Sequence, residues 1–177
     1  MIFLSIAEMK KFIQSLNPDE TLQVLWQLID KNPDIAKKAY EIAMKISCNV
    51  DADSIAEDVY IALNALDVED LNDRAGKTLY GYVEPSEAAY EMFEEALQPF
   101  IDEMIKNQER ALPVAAKSYC IGVIKGLLMY EKESESDFAD WVPDAPGDFI
   151  DNAIYDYKKG NPSDDDIAEV MAFAQNR

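Results

Sequence analysis

The chain contains no histidine. That absence removes Ser-His-Asp and Cys-His nucleophile systems and the side chain most used for acid–base catalysis. Imidazole zinc ligands and the Glu-x-x-His di-iron pattern of four-helix bundles go with it. An enzyme on this sequence would have to work with carboxylates, Lys, Tyr or Ser. Cysteine is scarce: Cys48 and Cys120 each stand inside an apolar helical pattern, which points to packing roles in a reducing compartment. Positive charge is in short supply, with sixteen Lys and Arg against thirty-five Asp and Glu and a net charge of −19. Such a chain repels phosphate backbones, so direct nucleic-acid binding is not expected. Its natural complements are basic protein surfaces or cations held by carboxylates. No uncharged run reaches the roughly 20 residues of a membrane span, because Lys117 and Lys125 interrupt the most apolar stretch. The opening MIFLSIAEMKKF has no basic segment followed by a long apolar core and cleavage site. A signal peptide is therefore not expected, and the expected location is cytoplasmic.

What is present is a helical alphabet. Apolar residues make up 49% of 177, enough for a core in one domain over 1–177, with 1–76 and 77–177 as alternative halves. The organising stretch is residues 112–131, LPVAAKSYCIGVIKGLLMYE, apolar on nearly every side and opened by Pro113. A helix of that kind is surrounded by others. Gly122 and Gly126 form a GxxxG, read here as a place where a neighbouring backbone approaches closely. Ser5 with Glu8 makes a capping box, and Asn17-Pro18 with Glu20 repeats the logic. Asn32-Pro33 and Asn161-Pro162 are read as further Asn-Pro starts. The early helices carry Ile6, Met9, Phe12 and Ile13, then Leu22, Leu25, Trp26, Leu28 and Ile29, then Ile35, Ile42 and Ile46, all expected to face inward. A helix from Asp53 or Ser54, a short turn of helix ending at Gly76, and a long helix over 85–107 follow. Pro99 is expected to kink or break the long one. Residues 77–83, KTLYGYV, have β-like composition but are too short for a sheet and are read as a loop. A helix over 148–159 ended by Gly160, and a last one opened at 161–163, complete the chain.

Residues Asp70, Leu71, Asn72, Asp73, Arg74, Ala75 and Gly76, then Gly81, Tyr82 and Val83 before a Glu-rich helix, carry a resemblance. The region over about 55–160 resembles the helical region of unknown function that follows the zinc-binding motif in SWIM-type zinc-finger proteins. That resemblance implies HEAT- or TPR-like helix pairs without a defined activity. The zinc ligands of that family are absent here, so zinc and any nucleic-acid role tied to it do not carry over.

Three features are candidates for chemistry or contact. Asp51, Asp53, Ser54, Glu57 and Asp58 look briefly like a calcium loop, but the sixth and twelfth places hold Ala56 and Ala62 where Gly and Glu are needed, so a helix-cap cluster is the better account. Glu87, Glu91, Glu94 and Glu95, with Asp102, form a carboxylate ladder at helical spacing that could serve a divalent ion or an acid pair, against the plainer reading of a solvated face. Over 131–169, thirteen acids and three bases surround Phe138, Trp141 and Phe149. Phe138, Asp140, Trp141, Asp144, Asp148 and Phe149 are therefore the candidate partner-binding surface, the competing reading being that the aromatics staple a loop to the core. The expectation is an all-α protein of antiparallel helical hairpins. These would form a HEAT/TPR-like right-handed superhelix or a compact bundle around 112–131, with no catalytic residues, metal or cofactor. It would act as a protein–protein interaction scaffold for another protein, a basic one included, without membrane contact and with homo-oligomerisation left open. The rivals are an acidic nucleic-acid mimic occupying a basic groove and a carboxylate-only metal protein or enzyme.

Overall fold

The computed structural model describes residues 5–47, 49–78 and 81–175. Cys48 lies outside them, as do Leu79 and Tyr80 of the 77–83 stretch. The protein is all-α. Three helices come first: α1 (Ile6–Gln14), α2 (Pro18–Lys31) and α3 (Pro33–Ser47). Then follow α4 (Ala52–Asn64), α5 (Val68–Arg74), the strands β1 (Gly76–Thr78) and β2 (Gly81–Val83), and the long α6 (Pro85–Glu109). The chain continues through α7 (Pro113–Glu133), a 3-10 turn (Asp137–Trp141), α8 (Ala145–Lys159) and α9 (Asp164–Ala174). Among the described residues, no helix is long and apolar enough to cross a membrane.

Local chemistry sets most of these starts. Ser5 and Asn17 each accept the backbone N–H three residues on, while Glu8 and Glu20 reach back to the cap, closing two capping boxes. Asn32 accepts from the N–H groups of Asp34 and Ile35. Asp51 caps α4, accepting from the Asp53 N–H at 3.2 Å and the Ser54 hydroxyl at 3.0 Å, so the acidic cluster there serves a helix end.

The chain divides into two units, Met1–Ile46 and Ser47–Arg177. The second holds the core, and α7 is its centre, packing against α4, α6, α8 and α9. Ala116, Cys120, Ile124, Leu127 and Tyr130 of α7 are buried. The two glycines of α7 bring α4 close: a Cβ on Gly122 would lie 2.6 Å from Ile55 Cβ, and one on Gly126 would lie 2.6 Å from Val59 Cβ and 2.8 Å from the Ala56 carbonyl. Because α4 packs along α7 in this way, the division does not fall at 76/77.

Several expectations need correction. β1 and β2 pair antiparallel, Gly76 with Val83 and Thr78 with Gly81, so the described residues on either side of 79–80 are paired strands rather than a loop. Gly76 at φ +93° and Gly81 at φ +145° supply backbone angles that side chains disfavour. α6 runs unbroken through Pro99. Pro99 and Glu95 both face solvent, where the carbonyl that loses its donor can turn to water. α8 starts at Ala145 rather than Asp148, with Pro146 in its first turn, where no donor is missed. α8 does end at Gly160, as expected, and the left-handed angle falls on Asn161 at φ +52°. Gly160 is required for space, since a Cβ would meet the Gln108 side chain at 2.6 Å, and Gln108 donates to the Tyr157 carbonyl at 2.8 Å, closing the end of α8. The last helix is capped by Ser163, which accepts from the Asp166 N–H, and not by Asn161.

Candidate functional site

The largest departure from expectation is in the first unit. No described residue of α1 or α2 is buried, nor any of α3 whose side chain is described. Ile6 is 74% exposed and Phe12 66%, Trp26 53%, Ile42 50% and Ile46 72%. Met9, Ile13, Leu22, Val24, Leu25, Leu28, Ile35 and Tyr40 are exposed as well. Among the described residues, no pair of α1, α2 and α3 forms an extensive packed interface. The amphipathic pattern is there, but the inward face has nothing to face within the unit. Leu16, Pro18, Thr21, Leu22 and Leu25 line a shallow apolar depression of about 540 Å³ at the α1–α2 turn.

Charge divides at the same place. Over 1–46, six lysines balance six carboxylates, so the whole −19 belongs to 47–177. The composition of the entire chain conceals this, which is why the acidic average misdescribed the first unit.

The aromatic surface expected near the C-terminal acids is mostly core. Phe138 is fully buried, and Phe149 packs on Phe93 at 5.4 Å and Tyr90 at 4.9 Å between ring centroids. Phe93 in turn meets Tyr130 edge-on at 5.4 Å. Phe138 and Phe149 therefore fix the segment to the body and are unavailable to a partner. Trp141 is 40% exposed, and Asp140, Asp144 and Asp148 face solvent.

The ladder carboxylates Glu87, Glu91, Glu94 and Glu95 are all exposed along α6. Glu95 is held by Arg74 at 2.7 Å. Glu94 lines a cavity of about 260 Å³ between α6 and α8 with Leu97, Ile101, Asn152 and Asp156, and Asp156 pairs with Lys159. Among the described residues, no three His, Cys, Asp or Glu side chains gather as metal ligands. The ladder is not brought together into a binding geometry.

A second cavity, about 500 Å³, opens where the α6–α7 and α8–α9 turns meet, lined by Gln108, Ala111, Ala116, Tyr157, Asn161 and Asp166. The one carboxylate of its lining, Asp166, is engaged structurally. Lys117 reaches Asp166 at 2.8 Å and Glu169 at 2.7 Å, fastening α9 to α7. Hydrogen bonds to those carboxylates hold the Lys117 ammonium above its usual range. Lys117, and then the Ser163 hydroxyl, hold the Asp166 carboxyl below its own. The Tyr157 hydroxyl is buried without a hydrogen-bond partner, and burial pushes it up to about 12. Cys120 is likewise pushed up to about 12 by burial, which keeps the thiol protonated and inert. Two turns further along α7, Lys125 pairs with Asp53 at 2.6 Å and lies 4.9 Å from the ring centroid of Phe173 in α9. The two lysines that interrupt the apolar helix thus tie it to α9 and α4.

Comparison with protein families, with curated proteins and with solved structures finds no match to this chain.

Proposed function

We propose that the chain is a protein-interaction module: a packed acidic body, α4–α9, carrying an element, α1–α3, that docks protein. The observation behind it is that no described side chain of α1–α3 is fully buried while thirteen large apolar ones are exposed. Contiguous apolar surface on soluble domains marks contact sites, and helices of 9 to 15 residues are marginal in water without a packed face. The HEAT- or TPR-like pairing of the body belongs to this reading, as does the likeness of 70–76 and 81–83 to the helical region beside SWIM-type zinc fingers. So do a cytoplasmic location and the absence of an enzymatic role. A photo-crosslinking residue in place of Trp26, used in cells, tests the reading. A discrete protein adduct is expected; adducts absent, or confined to lipid, contradict it.

A second reading, the acidic mimic, draws on the concentration of all net charge in 47–177. Its partner would bind through Asp140, Trp141, Asp144 and Asp148, weaken steeply with salt and be displaced by polynucleotide. Retention of that partner at high salt contradicts it.

A further inference from the structure

We infer that the occupant of the α1–α3 face is a second copy of this chain, so that α1–α3 is a self-association element; this rests on the interaction reading above. Three observations converge on it.

The first is area. The thirteen exposed side chains of α1–α3 present apolar surface on the order of 1,000 Å², against about 800 Å² per partner in a standard interface. The second is spacing. Leu22, Leu25 and Ile29 of α2, and Ile35, Ile42 and Ile46 of α3, recur at threes, fours and sevens. That seam seats side chains between those of a matching helix, and a second copy supplies it with the same residues. The third is charge. α2 carries three carboxylates and one lysine, whereas α1 has one carboxylate and two lysines, and α3 has two carboxylates and three lysines. α2 is therefore complementary to α1 and α3, yet among the described residues no extensive interface joins these helices within one chain. Laid against a second copy, α2 meets α1 and α3 of the other, and the faces approach with no net charge. A strongly basic or acidic partner finds no complementary field on this element.

The same charge map gives a signature. Each copy carries its −19 on the body, so the bodies repel while the faces attract. Screening removes the repulsion and leaves the apolar contact, so self-association should tighten as salt rises. A salt bridge-driven complex does the opposite.

The test is sedimentation equilibrium of the full chain at low and high salt, beside the charge-neutral variant Leu25→Gln/Ile42→Gln, with hydrogen exchange on the same samples. Both residues are exposed, so the substitutions leave the body intact. The expected result is reversible association of the 20.0 kDa chain, several-fold tighter at high salt, and at least about tenfold weaker in the variant. Association unaffected by the variant overturns the inference, because another surface then carries it. A chain monomeric throughout, with fast exchange in α1–α3, overturns self-association and leaves docking of another protein standing. A monomer with slow exchange in α1–α3 removes both readings, since the face is then satisfied within one chain. A monomer that floats with phosphatidylcholine–phosphatidylserine vesicles also removes both.

Discussion

Gly126 and Gly122 show how much one missing side chain can determine. At each position the space for a Cβ is already filled by α4, so the helices touch at their backbones. Gly126→Ala forces α4 outward and should lower stability by about 1–3 kcal/mol despite alanine's better helix propensity, read from urea unfolding. Tyr157 is the opposite case. Its hydroxyl is buried without a partner, so Tyr157→Phe should leave the thermal midpoint unchanged or raise it. A clear fall would mean that the hydroxyl is satisfied in solution. Cys120, buried and held protonated, should resist thiol reagents in a Cys48→Ser background until the protein unfolds. Labelling at the rate of a free thiol would contradict its burial.

Among the elements, α9 depends most visibly on charge. Asp166 is tied to Lys117 and Ser163, and these contacts lower its carboxyl in the folded state. A carboxyl lowered on folding adds stability at pH values above its unfolded value near 3.9 and loses it as pH falls through the folded value. Asp166→Asn should therefore lower the thermal midpoint at neutral pH, and the difference from the parent should vanish in acid, where the parent is itself protonated. An equal gap at every pH would assign the loss to packing instead. The starts of α1 and α2 were legible because a cap is written in residues three apart, as Ser5 with Glu8 and Asn17 with Glu20 show. The hairpin was not, because three-residue strands carry no period and the pairing depends on Gly76 and Gly81. The break expected at Pro99 is absent for a related reason: whether a proline breaks a helix depends on whether its orphaned carbonyl reaches water.

For the whole molecule, the sequence announced helices and a central one correctly, but not which amphipathic faces find a neighbour. The 3.6-residue rhythm of α1–α3 resembles that of helices that are buried, and period alone cannot tell a face packed within the chain from one left for another chain. Two residues of the candidate contact surface show the same ambiguity in reverse: Phe138 and Phe149, set among acids, are core, while Ile6, Phe12 and Ile42, written as core, are open. Averaging charge over the chain hid the neutrality of 1–46. The central claim is that α1–α3 are completed by another chain. Hydrogen exchange of the full-length protein, compared before and after about a hundredfold dilution, tests it most directly. On dilution α1–α3 should lose protection while α4 and α6–α9 keep theirs. Protection in α1–α3 that does not change with concentration would contradict it.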